Sequence, residues 1–467
     1  MVKRLFLVFQ TFSLIILASA IAIAQNGQSS QSKPQSEQIA PLADHHIHLI
    51  SPLVATILNG PPLRAITVPR DITKLLSGRA DRWNNLTELA KLYTNDAVVM
   101  IEWDRRSGLF RGRNVVADFI SNRFARPYRL IPVSYAISGN TAHVTGYYSR
   151  DEGEETKHIG YFQLGLIKKS NGMWLIKSEM PSFPSEPPEQ PGTAEQMVAM
   201  LDAAGIKRGV VLSVSLVIGG RYSDIYHGEK TSADRYRQVR AENDWTIQQV
   251  SRYPNRLISF CGLNPLESFA LDELKRCAAT GHHGLKLHFQ EAQVNLKNFS
   301  HVEKVRDLFE MANSLRFPIV VHVANNEGSA EENRANVLTF LNKIAVAAPN
   351  VSIQVAHLWG GGGFSKTALA AYADAISTGN PATRNLYFDI AEAPLIAAQY
   401  GEKKQEILQT VAKRIRQIGL SRILFGSDVG GKGHLTPREA WQQFVTDVPL
   451  TNEELRTIAS NVAPYLR

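Results

Sequence analysis

The run Leu42-Ala43-Asp44-His45-His46-Ile47-His48 sets an acid and three imidazoles directly behind a short apolar segment. Side chains two apart on a strand project to one side, so His46 and His48 can reach one ion together. A His-x-His pair alone is weak evidence and takes its meaning from remote partners. Four further short apolar segments supply them. Gly284-Leu285-Lys286-Leu287-His288, Pro318-Ile319-Val320-Val321-His322, residues 351–356 before His357, and Ile423-Leu424-Phe425-Gly426-Ser427-Asp428 each carry to their end a residue that binds or activates a divalent metal. A carboxylate closing an apolar strand, as Asp428 does, is costly to bury unless it is paired or metal-bound. Read singly, each histidine is a packed core residue and Asp428 a helix N-cap. Read together, those bland assignments require five coincidences in one register.

The same segments belong to a longer alternation. From Ala194 onward, β-branched runs at 209–217, 257–262, 284–288, 319–323, 351–356, 386–389 and 423–426 alternate with helical stretches, and 41–45 makes eight. Each run is continuously apolar, as strands buried on both faces are. Eight strand–helix units define an α/β fold, a (β/α)8 TIM-type barrel whose reactive groups sit at the C-terminal strand ends.

Residues between the first strand and the rest do not fit that alternation. Asn59-Gly60-Pro61-Pro62 opens the interruption, and Pro181, Pro184, Pro187, Pro188 and Pro191-Gly192 close it, which is linker chemistry at both ends. Inside, 71–93 reads as a helical region, 114–123 as a helix, and 129–149 as strands. Residues 161–179 read as two β runs around Asn171-Gly172, a strong hairpin signal. Helices followed by antiparallel strands describe an α+β module inserted after strand 1. The segment 72–182 resembles the SnoaL-like, nuclear-transport-factor-2-like cone. The resemblance is carried by Trp83, Leu89 to Val98, Gly112 before 114–120, Gly139 to Val144, and Asn171-Gly172-Met173-Trp174-Leu175-Ile176. The loop after strand 1 of a barrel leaves from the catalytic face, so the insertion is expected to serve as a lid, a substrate-selecting wall or an oligomer contact.

The 467 residues are 44% hydrophobic and 20% charged, with a net charge of +8. This is an ordinary globular composition. The positive excess is dispersed, without the basic face that nucleic-acid binding requires, and nucleic acid is not an expected partner. Residues 1–24 pair two early cations with an apolar run and the small-x-small site Ala22-Ile23-Ala24, which is the pattern of a signal peptide. Residues 25–39 follow as a disordered Ser/Gln-rich leader, 40–58 hold the first barrel strand, 183–192 form a Pro-rich linker, and 193–467 complete the barrel. The expectation is a soluble protein exported to a periplasm or beyond, with no membrane association apart from export. Cys261 and Cys277 are expected to be buried independently rather than bridged.

The residues quoted from 40–58 and 193–467 resemble the amidohydrolase superfamily, in the amidohydrolase-2 branch that includes aminocarboxymuconate semialdehyde decarboxylase and pyrone-dicarboxylate lactonase. The signatures are Asp44 to His48, Gly284 to His288, Val321-His322-Val323, Val355-Ala356-His357 and Phe425-Gly426-Ser427-Asp428. The resemblance implies that His46, His48, His322 and Asp428 hold one Zn²⁺, or Mn²⁺, with no second ion, and that His357 is the general acid/base alongside Asp428. That donor set suits the chemistry, because three imidazoles and a carboxylate leave a position open for water. Lys286 has two readings: a carboxylated bridge between two ions, as in binuclear relatives, or a buried, substrate-facing ammonium. Asn264, His288, Phe289, Trp359, Arg221 and Tyr222 fall just beyond strand ends, as pocket residues or simple loop structure. Arg105, Arg106, Arg111 and Arg113 read as a solvated face.

Three functions follow. The first is hydrolysis of a small amide, ester or lactone carbonyl, and the second is non-oxidative decarboxylation on the same ligands. The third is a vestigial barrel carrying a non-catalytic, ligand-binding or dimerising cone. A small-molecule substrate and a homo-oligomer are the partners expected.

Overall fold

The computed structural model describes residues 39–59, 63–103, 106–123, 128–152, 155–182, 189–218, 230–324, 328–431 and 434–467. The expected signal peptide, the leader up to residue 38, Arg105, and Arg221 with Tyr222 lie outside the described residues. The chain divides into two compact units, Met1–Pro61 with Pro188–Arg467, and Pro62–Pro187. Strands are numbered along the chain. β1 (Ala43–Ile47) belongs to the first unit. β2 (Tyr93–Trp103), β3 (Arg106–Arg111), β4 (Arg129–Ser138), β5 (Thr141–Glu152), β6 (Glu155–Lys168) and β7 (Trp174–Ser182) belong to the second. β8 (Arg208–Leu212), β9 (Leu257–Gly262), β10 (Gly284–His288), β11 (Ile319–His322), β12 (Ile353–Val355), β13 (Leu386–Asp389) and β14 (Ile423–Leu424) return to the first.

In the first unit the strands run in the order β1-β8-β9-β10-β11-β12-β13-β14, and every neighbouring pair is parallel. The two ends of this sheet meet. His45 N donates to Phe425 O at 2.8 Å, Asp428 N to His46 O at 2.8 Å and His48 N to Val429 O at 2.7 Å, with a parallel bridge between Ile47 and Val429. The architecture is therefore the eight-stranded α/β barrel read from the sequence. The run 209–217 leaves the ladder after Leu212 and turns into a short 3-10 helix, Ser215–Val217. Ser215 Oγ donates to Gly262 O at 2.5 Å, which draws the segment out of strand geometry.

One apolar layer lies between strands and helices and another inside the barrel. The inner cluster joins Ala43, Val210, Leu212, Ile258, Phe260 and Val320 to Leu466. Helices Ala194–Ala204, Pro437–Asp447 and Asn452–Ser460 each begin with a capping box, from Thr193/Gln196, Thr436/Glu439 and Thr451/Glu454. These pairs satisfy the free N–H groups of the first turn and fix where each helix starts. Cys261 and Cys277 are buried free thiols.

The second unit is α+β, with helices Arg70–Asp81, Leu86–Ala90 and Arg113–Arg123 and a six-stranded sheet in the order β3-β2-β7-β6-β5-β4. It has its own core, from Ile72 and Leu76 on the first helix to Val144, Phe162 and Leu164 on the sheet. The helical reading of 71–93 needs correction, because helix ends at Ala90 and Tyr93 opens β2, a strand that the polar run Thr94-Asn95-Asp96 concealed. Tertiary contacts decide the matter. Tyr93 Oη donates to buried Glu179 on β7 at 2.5 Å and accepts from Arg79 Nε at 2.9 Å. Arg79 Nη2 and Tyr148 Oη complete the shell around Glu179 at 2.9 and 2.7 Å.

Candidate metal centre

Six strands deliver side chains to one end of the barrel: His46 from β1, Lys286 and His288 from β10, His322 from β11, His357 just past β12, Asp389 at the end of β13 and Asp428 after β14. In β10–β11 the register sets His288 opposite His322, and their rings stack at 3.8 Å.

Three imidazoles are fixed in the same way. His46 Nδ1 meets Asp389 Oδ2 at 3.0 Å, His48 Nδ1 meets Leu212 O at 2.7 Å, and His357 Nδ1 meets Ala391 O at 3.1 Å. Each acceptor takes a hydrogen bond from Nδ1–H, which leaves Nε2 unprotonated with its lone pair toward the site. All three lone pairs then aim at Asp428. His46 Nε2 and His48 Nε2 lie 3.2 and 3.1 Å from its Oδ1, and His357 Nε2 lies 3.8 Å from its Oδ2. Lys286 Nζ is 3.2 Å from His46 Nε2.

The electrostatics put these groups in ligating states. Burial, helped by the Lys286 cation, lowers His46 to about 4 against the pull of Asp428 and Asp389, so its imidazole is neutral. Burial holds His322 and His288 well below the ordinary histidine range. Burial works to raise Asp428, but His46, His48 and His357 outweigh it and hold the carboxyl well below its usual range. Burial lowers Lys286 to about 8, opposed by Asp428 and Asp389. A neutral His46 imidazole beside an ionised Asp428 carboxylate is the pair of protonation states that metal binding demands.

The residues fit a divalent ion. Ligands about 2.0–2.1 Å from a tetrahedral ion stand roughly 3.3 Å from one another, close to the separations of Asp428 Oδ1 from the two imidazoles. His322 Nε2 is buried and has no hydrogen-bond partner among the described residues, a ligand atom left over at the same end of the barrel. His46, His357 and Asp428 form one three-residue grouping, and the expected ligands His48 and His322 stand outside it, His322 with its ring 5.3 Å from that of His357. His357, Leu358, Glu392 and Asp428 have φ of 55°, 58°, 52° and 60°. Four non-glycine residues held left-handed around one point are a cost that folds accept at functional sites.

The remaining candidates divide. His288 shares the site through its stack on His322. Phe289 and Trp359 are buried in the layer between strands and helices. Asn264 Oδ1 accepts from Leu266 N at 2.9 Å and shapes a turn. Arg111 is exposed and Arg113 half-buried. Three site residues escaped the sequence reading: Asp389, Glu392 and His434. Asp389 also accepts from His357 N at 2.9 Å and Gln354 Nε2 at 2.7 Å, and burial's upward push on it is outweighed chiefly by His46, so it stays ionised. Glu392 and His434 form a second grouping with Asp428. Asp389 ends a strand that the sequence did reveal, so the rule that selected Asp428 selects it too; Glu392 and His434 lie on irregular loops and carry no such signal.

No curated protein sequence matches the chain. Among solved structures, a dihydroxybenzoic acid decarboxylase from a Polaromonas species, with bound manganese and an inhibitor, is 16% identical, covering 57% of this chain and 83% of its own at a TM-score of 0.39. A probable 2-pyrone-4,6-dicarboxylic acid hydrolase from Acinetobacter baumannii, with citric acid bound, is 15% identical over 59% of this chain and 88% of its own, at a TM-score of 0.37. An NTF-2 like protein of unknown function from Shewanella oneidensis is 18% identical over 24% of this chain and 96% of its own, at a TM-score of 0.20. Residues 191–461 match the amidohydrolase family, described as Amidohydrolase. That match spans more than half of the sequence, and by it the chain belongs to the amidohydrolase family of enzymes.

Proposed function

We propose that the protein is a metal-dependent hydrolase that opens a small amide, ester or lactone carbonyl. His46, His48, His322 and Asp428 would hold one divalent ion, Zn²⁺ before Mn²⁺, and His357 with Asp428 would handle the proton. The observation that carries this reading is the convergence of the His46, His48 and His357 Nε2 atoms on Asp428, each imidazole pinned at Nδ1. When bound, the ion supplies Lewis acidity toward a carbonyl oxygen and toward water. His357 takes and returns a proton at Nε2, since its Nδ1 is held by Ala391 O. Asp428 Oδ2 lies 3.8 Å from that nitrogen and orients water beside it.

Lys286 favours decarboxylation as the second reading, because a buried ammonium beside the ligand set suits a substrate that carries a carboxylate. A panel of lactones, esters and amides, run beside aromatic acids with CO2 trapped, separates the two. The expected result is carbonyl hydrolysis that His357→Asn abolishes. CO2 release would move the assignment to the second reading, and a metal-loaded protein inert on every substrate would contradict both. The proposal includes export with removal of residues 1–24, for which N-terminal sequencing of the mature protein is the check.

A further inference from the structure

The carboxylate that orients His46 is itself held from below. Gln354 on β12 donates through Nε2 to Asp389 Oδ2 at 2.7 Å and to His45 O at 3.2 Å. Its other amide atom, Oε1, accepts from the hydroxyl of Tyr465. Tyr465 belongs to the 3-10 turn Pro464–Leu466, and this turn plugs the barrel at the end away from the candidate metal centre. Leu466 is buried against Ala43, Val210, Leu212, Ile258, Phe260 and Val320. The Tyr465 ring stands edge-on to Phe260 at 5.1 Å and to His45 at 6.3 Å. Ala463 N donates to His45 Nε2 at 3.1 Å, and Arg208 donates to Leu466 O. One continuous line of hydrogen bonds therefore runs down the barrel axis, from His46 through Asp389 and Gln354 to Tyr465.

A glutamine amide can turn over, and its two faces have opposite effects on a carboxylate. With NH2 toward Asp389 it helps hold the carboxylate in place; with the oxygen there it repels. Asp389 Oδ2 and His45 O only accept and favour the first arrangement, and the Tyr465 hydroxyl, donating to Oε1, reinforces it.

We propose that Tyr465 is a positioning residue for the metal centre: through Gln354 and Asp389 it fixes the orientation and tautomer of His46, so that the turn under the barrel sets the affinity of the ion above it. This inference rests on the proposed metal-dependent function. Partners that orient ligating histidines are worth about 10–100-fold in metal affinity. Asp389→Asn is expected to lose affinity on that scale, and Tyr465→Phe, which keeps the ring and deletes only the hydroxyl, about three- to tenfold.

The experiment is a Zn²⁺ titration of the full-length apoprotein against a chromophoric chelator, with the visible absorption of the Co²⁺ form as a second readout. Wild type, Tyr465→Phe, Asp389→Asn, the double variant and Leu466→Ala are compared. Leu466→Ala loosens the plug without touching the line, so it is expected to lower the melting temperature while leaving affinity and the Co²⁺ spectrum unchanged. Tyr465→Phe is expected to do the reverse, and its loss should largely disappear in an Asp389→Asn background, as coupled sites require. A Tyr465→Phe protein with wild-type affinity and spectrum, or losses that simply add, would overturn the relay while leaving the metal site standing. A wild-type protein that binds no ion would overturn the proposed function itself.

Discussion

Glu242 lies wholly buried on the helix Ser232–Val250. One carboxylate oxygen accepts from Ser51 Oγ, while Oε1, like nearby Thr246 Oγ1, has no hydrogen-bond partner among the described residues. Burial pushes its carboxyl up to about 7, with the Ser51 bond opposing. Between an unfolded value of about 4.3 and this folded value the native state keeps a proton that the unfolded chain has lost. The group's contribution to stability is therefore greatest in acid, falls as pH rises through that window and is flat above it. Glu242→Gln removes the penalty, so the variant should be more stable than wild type by about 3–4 kcal/mol at pH 8 and nearly equal to it at pH 4.5. Urea unfolding at the two pH values reads this out, and a difference independent of pH would contradict it. His46, His48, His357 and Asp428 were legible because each follows an apolar run, the chemistry of a barrel strand end. Glu392, with φ of 52°, and Tyr465, far along the chain from every partner it meets, are placed by tertiary structure alone.

Among the elements, the seam between β1 and β14 carries the site, because His46 and His48 lie on one side of it and Asp428 on the other. Glycines let the two chains approach. A Cβ on Gly430 would stand 2.2 Å from His48 Cβ and 2.7 Å from His48 O, and one on Gly426 would stand 2.8 Å from His46 Cβ. Rigid backbone on the receiving side means the seam itself must give way. Gly430→Ala should cost about 1–3 kcal/mol, as overpacking does, and should displace His48 and weaken metal retention. Gly362→Ala, where nothing lies within 4 Å, is the control. Matching melting temperatures and metal content for the two variants would contradict this view of the seam. The barrel strands from residue 194 onward were readable as continuous apolar runs, since both of their faces are buried. β2 and β3 were not, because β2 begins in a polar run and takes its strand form from pairing with β3 and β7.

At the scale of the whole molecule, the insertion leaves and rejoins the barrel unit at one place. Asn59 Nδ2 donates to Glu189 O at 2.9 Å, Glu189 N donates to Asn59 Oδ1 at 2.6 Å, and Ile50 pairs with Gly192. The two units have separate apolar cores. Replacing residues 63–187 by a short Gly/Ser linker should therefore leave the barrel folded and its donor atoms in place, and any change in turnover would then belong to the inserted unit. Whether these donor atoms hold an ion is read from metal content per chain of the purified full-length protein, by elemental analysis. About one Zn²⁺ or Mn²⁺ per chain is expected, lost in both His46→Ala and Asp428→Ala. A protein that carries no ion, even after reconstitution with either metal, would contradict it.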